Sequence, residues 1–203
     1  RREAVLCAWA ITEDGRKDLL HLAPGTKEDT ASCTAFFEGL KRRGLADPLL
    51  AVTDGAPGLI RAVETCFPRA VRQRCLVHRL RNLRSKAPER QWPEIAIRAR
   101  AGYEAASSAL ATLLRDDFVQ AYGRELPAVG QTLDDDFDAC IAHLRFPLRH
   151  RKVIRTTNLL ERLFLEERRR TKIIPHAFGE RPVLKLMYAA VIRATDRWRG
   201  LTV

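Results

Sequence analysis

The spacing of apolar and polar positions predicts an α/β succession of elements in the first half of the chain. Two apolar runs, residues 3–12 and 17–22, flank an Asp-Gly pair, which is typical of a β-hairpin. Helical and strand-like spacing then alternate, which predicts a helix over 27–43, a strand over 49–52, a helix over 57–67 and a strand over 71–77. Because strands joined through helices run parallel, we expect a parallel pair after the antiparallel hairpin.

In the second half of the chain the strand pattern disappears. Residues 78–86 predict a basic helix, and residues 147–155 predict a basic extended segment. Helical spacing fills the remainder, with helices predicted over 92–114, 117–126, 133–144 and 182–199, and with a further helix in the stretch 156–172 for which Asn158 is the expected N-cap. Residues 88–144 are therefore interpreted as an all-helical block. Its acidic cluster at 134–136 is interpreted as solvated charge at a helix N-terminus, because consecutive carboxylates point in different directions on a helix.

Composition and charge indicate a folded protein with a polyanionic partner. The 203 residues are 46% hydrophobic and 30% charged, which supports a core and excludes a disordered chain. The formal net charge is +11, supplied mostly by arginine, whose fork suits phosphate oxygens, so we expect nucleic acid rather than a merely basic surface. The five cysteines suggest no disulfide framework, and no apolar run could cross a bilayer. These features predict a cytoplasmic location without a membrane partner.

Two carboxylates stand out by their position in the predicted elements. Asp54 follows the strand over 49–52 and precedes Gly55, where α/β folds carry chemistry, although Asp-Gly is also a common turn pair. Glu161 comes three residues after Asn158 at a helix start, so it fits a capping box, yet its surroundings are strongly cationic. Carboxylates that hold Mg²⁺ next to DNA need cationic side chains around them, because these bind the phosphates of the DNA. Both residues are therefore candidate metal ligands.

Two C-x2-H pairs raise the question of zinc. Cys75 and His78 lie at the end of the strand over 71–77, and Cys140 and His143 lie in a predicted helix. Together they could supply four zinc ligands, but zinc is not expected, because the second pair is in mid-helix and cysteine is commonly a small buried hydrophobe. We expect Cys75 to pack. His78 has two interpretations. It either orients another side chain of the site or contacts DNA, or it is a structural histidine whose ring is hydrogen-bonded within the protein.

Two basic runs are candidates for DNA contact. Residues 79–86 and 145–172 are too one-signed to be interpreted only as solvated helix faces, so we expect at least one of them to follow a phosphate backbone. The candidate DNA-contacting residues in these runs are Arg79, Arg81, Asn82, Arg149, Lys152, Arg155, Thr156, Thr157, Asn158, Arg168, Arg170 and Lys172.

The order of these motifs resembles a known family. VTDGAPGLIRAV is followed by FP, by QRCLVHRLRN, by the helical block, and then by FP, IRTTNLLERLFLEERRRTK and a later Phe. This succession, from Leu6 to Trp198, resembles the bacterial Mutator-type insertion-sequence transposases, which belong to the wider DDE group of recombinases. The resemblance implies a ribonuclease H-like core, a mixed sheet with flanking helices, over 1–87 and 145–203. The core is interrupted by a helical insertion over 88–144.

The resemblance also implies an activity and a set of partners. The family's second aspartate falls on Asp54 and its glutamate on Glu161, and these would hold Mg²⁺ or Mn²⁺ for DNA strand cleavage and transfer at transposon ends. Cys75 and His78 match a further family motif. Expected partners are terminal inverted repeats, target DNA and further copies of the protein, and the bound protein would be associated with the bacterial nucleoid.

One family residue has no counterpart in this sequence. The family's first aspartate lies on a strand before residue 3, so the chain is interpreted as an N-terminally truncated catalytic domain that is inactive by itself. The alternative is an inactive remnant that binds DNA or transposase and acts as an inhibitor.

Overall fold

Four strands form two separate ladders within the described part of the chain. The structure is a computed structural model that describes residues 4–25, 29–171, 180–195 and 198–201, at several of these positions through the backbone alone. Strands β1 (Ala4–Ile11) and β2 (Lys17–Gly25) pair antiparallel, and strands β3 (Leu50–Thr53) and β4 (Val71–Arg74) pair parallel. The predicted hairpin and the predicted parallel pair are confirmed.

Helices make up most of the rest of the described chain. In chain order the α-helices are α1 (Thr30–Arg42), α2 (Pro57–Cys66), α3 (Leu76–Arg84), α4 (Trp92–Tyr103), α5 (Ser108–Tyr122), α6 (Pro127–Asp134), α7 (Phe137–Cys140), α8 (Leu148–Ile154), α9 (Asn158–Thr171) and α10 (Glu180–Thr195). A 3-10 helix over Ala142–Arg145 lies between α7 and α8. None of the helices in the described ranges is long and apolar enough to cross a membrane.

The chain is divided between two compact units that alternate along the sequence. The first unit consists of Arg1–Asp47, Ala56–Pro68 and Asn158–Val203. The second unit consists of Pro48–Gly55 and Arg69–Thr157. Each of the two units has an apolar core of its own.

The first unit is built on the hairpin. Its core contains Leu6 from β1, Phe36 and Leu40 from α1, and Ala62 from α2, all buried. Helix α10 packs on β2 and on α9. Helix α1 begins at Thr30, a few residues later than predicted, because the side chain of Asp29 caps it by accepting a hydrogen bond from the N–H of Ser32 at 2.8 Å.

The second unit joins the short parallel ladder to a helical core. Buried side chains of α3 to α7 and of the 3-10 helix form one apolar cluster, in which Tyr103 and Phe118 are among the largest members. Strand β4 ends at Arg74 rather than continuing to residue 77, because Cys75 precedes the first turn of α3 and its carbonyl accepts the N–H of Arg79 at 3.0 Å.

The predicted long helix over 92–114 is wrong, and so is the separate helix over 117–126. Helix α4 ends at Tyr103, and α5 runs continuously through both predicted segments from Ser108 to Tyr122. The break follows from Ser107, whose side chain accepts a hydrogen bond from the N–H of Leu110 at 3.2 Å and caps α5.

The single helix predicted over 133–144 is also wrong. The chain breaks into α6, α7 and the 3-10 helix because Asp136 adopts a left-handed conformation with φ of 58°. Asp134 and Asp135 are exposed, as predicted for the acidic cluster, but Asp136 is half-buried and forms ion pairs with Arg72 and Arg74. Its interpretation as solvated charge is therefore corrected.

The basic segment over 147–155, predicted to be extended, forms the helix α8. Arg151 in this helix stabilises the preceding turn, because its guanidinium donates to the carbonyls of Leu144 and Phe146 at 2.9 Å each and to that of Ala106 at 3.0 Å. At least one basic side chain of this segment therefore serves contacts within the protein.

The α/β class of the chain is confirmed, since strands and helices are both present. In the described residues the strands form two two-stranded sheets rather than one sheet. A ribonuclease H-like core over 1–87 and 145–203, with an insertion over 88–144, stays a prediction.

Candidate functional site

Asp54 lies at the carboxyl end of β3, beside the end of β4. The ladder closes with Thr53 opposite Arg74, and the N–H of Cys75 donates to the Thr53 carbonyl at 2.7 Å. Asp54 is half-buried, and the φ of +92° at Gly55 lies in the left-handed region that favours glycine. The structure therefore places Asp54 directly after a strand, as predicted.

A guanidinium group lies against the turn formed by Asp54 and Gly55. A Cβ atom placed on Gly55 would lie 2.2 Å from both Cζ and Nε of Arg74 and 2.3 Å from its Nη2. Because these distances to three atoms of one plane are nearly equal, Gly55 faces the flat side of the guanidinium. A side chain at position 55 is therefore disfavoured both by the backbone conformation and by this contact.

Arg74 shares the carboxylate of Asp136 with Arg72. Arg72 donates from Nη1 to Oδ2 at 2.6 Å and from Nη2 to Oδ1 at 2.5 Å, and Arg74 donates from Nη1 to Oδ2 at 3.1 Å. The two arginines lie two residues apart in β4, on the same face. The pKa of Asp136 is below its ordinary value, because burial raises it but the hydrogen bonds and charges of the two arginines outweigh burial.

The opposite face of β4 carries a buried amide. Gln73 donates from Nε2 to the carbonyls of Arg74 at 2.7 Å and Cys140 at 2.9 Å, and its Oε1 accepts the N–H of His143 at 2.7 Å. The same Oε1 lies 3.2 Å from Nδ1 of His143. Burial, aided by the charge of Arg155, lowers the pKa of His143 to about 4, so the ring is neutral at pH 7.

The two C-x2-H pairs are engaged in different contacts. Cys75 is fully buried, and its Sγ lies 3.2 Å from both the backbone N and the Oγ1 of Thr157, which donate to it. His78 lies half-buried in α3. Cys140 is buried, which raises the pKa of its thiol to about 12. Within the described ranges, no group of three or more His, Cys, Asp or Glu side chains is placed to hold a metal ion.

Glu161 belongs to the first unit, whereas Asp54 belongs to the second. Helix α9 begins at Asn158, one position earlier than expected if Asn158 capped it, and Glu161 lies half-buried in its first turn. A carboxylate at this position is favoured by the positive end of the helix dipole.

Four of the predicted DNA-contacting residues are exposed on two helices of the second unit. Arg81 and Asn82 lie on α3, and Arg149 and Lys152 lie on α8. The side chains of Arg168 and Arg170, and the whole of Lys172, lie outside the described residues. Thr156, Thr157 and Asn158 are half-buried where α8 gives way to α9.

Two other predicted DNA-contacting residues are engaged inside the second unit. Arg79 is only 4% exposed; its Nη2 donates to the carbonyl of Asp135 and lies 3.6 Å from that residue's carboxylate. Arg155 is half-buried and forms an ion pair with Glu104 at 3.0 Å. Both side chains already have an acidic or carbonyl partner within the protein.

Sequence reasoning missed Arg72, Arg74 and Asp136 as a group. A signal was present in β4, where two arginines alternate with a glutamine in a four-residue strand. Two charged side chains on one face of a short strand that packs on a core favour a counter-charge nearby. The partner is 64 positions beyond Arg72, so local spacing could not identify it.

Comparison with known proteins extends over nearly the whole chain. The family model described as "Transposase, Mutator family" matches residues 1–200. The chain is 31% identical over 201 residues to the transposase for insertion sequence element IST2 of Acidithiobacillus ferrooxidans, covering 98% of this chain and 68% of that protein. It is 29% identical over 197 residues to the transposase for insertion sequence element IS6120 of Mycolicibacterium smegmatis, covering 97% of this chain and 61% of that protein.

The chain covers a smaller fraction of a further relative. The transposase for insertion sequence element IS1081 of Mycobacterium tuberculosis is 29% identical over 193 residues, which cover 95% of this chain and 46% of that protein. The chain thus spans between about half and two thirds of the length of these curated relatives.

Proposed function

The chain belongs to the Mutator family of transposases, the enzymes of insertion sequences, and we propose that it supplies catalytic carboxylates and part of the DNA-binding surface of a DDE-type transposase. The family resemblance inferred from the motifs is thereby confirmed. The reaction that we propose is DNA strand cleavage and strand transfer at transposon ends, in the protein that contains this chain.

The position of Asp54 carries the proposal. A carboxylate at the carboxyl end of a parallel strand lies where α/β folds place reacting groups, and Asp54 occupies such a position next to a left-handed glycine. The Asp-Gly pair is therefore not the turn of a hairpin, because β3 leads into α2 and not into an antiparallel neighbour.

We propose that Asp54 and Glu161 each serve as a ligand for divalent cations in the reaction. Carboxylate oxygens are the donors that Mg²⁺ and Mn²⁺ prefer, and both side chains are half-buried and so keep some access to solvent. Metal ions in such sites stabilise charge on a phosphodiester and activate the attacking hydroxyl. Two carboxylates are a partial set, and the role assigned to this chain is to hold and orient these two donors.

The surrounding charge supports a nucleic-acid substrate. Exposed Arg81, Asn82, Arg149 and Lys152 are proposed to contact phosphates, since their side chains are accessible on α3 and α8. Arg79 and Arg155 are assigned to internal support instead. Terminal inverted repeats and target DNA are the proposed substrates, bound by two or more copies of the protein.

The proposed architecture is a ribonuclease H-like core with a helical insertion over 88–144. The β3–α2–β4 succession with a parallel register supports it, and so does the uninterrupted helical character of α4 to α7. The hydrogen bonds from β4 to Asp136 before α7 and to Cys140 at the end of α7 would then join the core to the insertion.

The test is a comparison of carboxylate variants in the protein encoded by the full reading frame. We expect Asp54→Asn and Glu161→Gln each to lower Mg²⁺-dependent cleavage of a transposon-end duplex by at least about 100-fold, as removal of one key electrostatic group does. DNA affinity should change less than about twofold, because neither residue is a phosphate contact. Glu125→Gln, at an exposed acid of the second unit, serves as the control.

Two results would oppose the proposal in different ways. Cleavage undiminished by Asp54→Asn or Glu161→Gln would remove the assigned residues from the reaction. Salt-sensitive DNA binding with no metal-dependent cleavage in the parent protein would instead support a binding role, such as that of an inhibitor.

A further inference from the structure

Arg74 is held in place by contacts with Gly55 and Asp136. One face of the guanidinium lies flat on Gly55, where a Cβ atom would lie 2.2 Å from Cζ. At the edge of the guanidinium, Nη1 donates to Asp136 at 3.1 Å, and the residue as a whole is 7% exposed. A side chain confined in this way transmits the position of Asp136 to the backbone that carries Asp54.

Asp136 is itself fixed by its backbone and by a second arginine. It is the single non-glycine residue of the described ranges with positive φ, and it lies between α6 and α7, where the helical axis is broken. The bidentate pair with Arg72 fixes both carboxylate oxygens. The left-handed conformation is adopted more readily by Asp and Asn than by other side chains that have a Cβ.

The turn that carries Asp136 is surrounded by cationic side chains. Arg72, Arg74 and Arg79 converge on the turn formed by Asp135 and Asp136, and the Asp135 carboxylate is largely exposed. Nε of Arg74 is buried and makes no hydrogen bond within the described residues. Buried charges and unsatisfied donors are costly, and apolar residues would pack at lower cost, so this arrangement calls for an explanation other than stability.

We infer that Arg74, oriented by Asp136, is a positioning residue that fixes the Asp54–Gly55 turn for metal binding. The inference rests on the proposed function, because it takes Asp54 as a metal ligand. Arg74 itself is proposed to contact neither metal nor DNA. Its contribution is to hold the backbone of Gly55 so that the carboxylate of Asp54 stays in one orientation.

The chain offers a closely matched pair of variants to test this. Arg74→Lys keeps the charge but removes the flat group that packs on Gly55. Arg72→Lys makes the same exchange two residues earlier, on the same face of β4 and at the same Asp136 carboxylate, without the Gly55 contact. Comparing the two variants separates positioning of the turn from support of Asp136.

Two measurements are made on the protein of the full reading frame. In the metal-free protein, we expect hydrogen exchange of residues 50–55 to be about tenfold faster in Arg74→Lys and little changed in Arg72→Lys. We expect the Mn²⁺ concentration for half-saturation, followed by the electron paramagnetic resonance of the free ion, to rise at least about tenfold in Arg74→Lys only. DNA affinity should stay within about twofold of the parent in both variants.

A third variant keeps the test decisive if Arg74→Lys folds poorly. Asp136→Asn retains the left-handed conformation and removes the ion pairs, so it should raise the Mn²⁺ half-saturation as Arg74→Lys does. If Arg74→Lys folds poorly, a Mn²⁺ half-saturation of Asp136→Asn within about twofold of the parent would overturn the inference. If it folds well, the effects of the two changes should not add in the double variant Arg74→Lys with Asp136→Asn, because both act through the same guanidinium. Additive effects would indicate that each charge acts on the metal site independently, through its electrostatic field, and would overturn the inference.

Failure of the inference is distinguishable from failure of the proposed function. If Asp54→Asn abolishes Mn²⁺ binding while Arg74→Lys leaves both the exchange of residues 50–55 and the half-saturation within about twofold, the positioning role is wrong and the function stands. If Asp54→Asn leaves Mn²⁺ binding and cleavage unchanged, the proposed function is wrong, and the positioning role is overturned with it.

Discussion

Replacing Gln73 by leucine should destabilise the second unit strongly, although the two side chains are similar in size. The change removes the donor to the carbonyls of Arg74 and Cys140 and the acceptor of the His143 N–H, and all three residues are buried. Each orphaned buried backbone group costs about 1–3 kcal/mol. Burial of the leucine side chain returns about 1–2 kcal/mol. We therefore expect a net loss of about 3 kcal/mol, a large part of the stability of an ordinary domain.

Urea unfolding measures this loss if a probe reports on the second unit. Trp92 is that probe, because it packs against the core of the second unit, and Trp9 and Trp198 contact each other in the first unit. A background with Trp9→Phe and Trp198→Phe leaves Trp92 as the fluorescent reporter. With a slope of about 2 kcal/mol per molar urea, the midpoint should fall by about 1.5 M.

The control uses the same exchange at an exposed glutamine of the same unit. Gln131 lies exposed on α6, so Gln131→Leu should change the free energy of unfolding by less than about 0.5 kcal/mol. A loss below about 1 kcal/mol for Gln73→Leu would show that Cys140 and His143 find other partners and that Gln73 is not needed for the stability of the unit.

Three further predictions concern pH, backbone conformation and DNA binding. His143 is neutral in the folded protein down to about pH 4, whereas the unfolded chain takes up a proton below about pH 6.5, so stability should fall as pH decreases through this window, by up to about 3 kcal/mol. Urea midpoints at pH 7 and 4.5, compared with those of His143→Gln, isolate this contribution, and an equal pH dependence in the variant would contradict it. Gly55→Ala should cost about 2–4 kcal/mol from its φ and the guanidinium contact together. Gly44 has a φ of +99° and open space around the Cβ position, so Gly44→Ala should lose only the stability that the backbone conformation costs. Equal losses in the two variants would show that the guanidinium contact contributes nothing to the cost at Gly55. Arg149→Gln with Lys152→Gln should reduce the slope of log affinity for duplex DNA against log salt by roughly 1–2, measured by fluorescence anisotropy, and an unchanged slope would exclude α8 from the interface.

Local features of the sequence predicted the positions of the strands and of Asp54. The apolar run that ends at Val52 and the Asp-Gly pair that follows it were sufficient to place Asp54 at a strand end, and the intervening helical pattern implied the parallel register. These features depend on neighbours within a few residues, which periodicity and turn chemistry describe well.

Long-range polar contacts were beyond such reasoning. The conformation of Asp136 depends on Arg72 and Arg74 in a distant strand, and the helical state of α8 is supported by carbonyls that Arg151 satisfies. A basic residue that folds inward has the same local pattern as one that contacts phosphate, as Arg79 illustrates. Exposure decides between the two, and exposure is a property of the folded chain.

The alternation of the two units along the chain has a consequence for the order of folding. Most core residues of the second unit lie within one stretch, Leu76 to Leu144, and are joined by short helical connections that favour rapid folding. The first unit gathers three separated stretches, and its Trp9 contacts Trp198 across almost the whole chain. During synthesis α1 and α2 can cover one face of the hairpin early, but the contacts of the hairpin with α10 must wait for that helix, when the second unit can already be complete. Newly made chains should therefore expose Trp9 and the part of β2 that packs on α10 until the C-terminal stretch has been made.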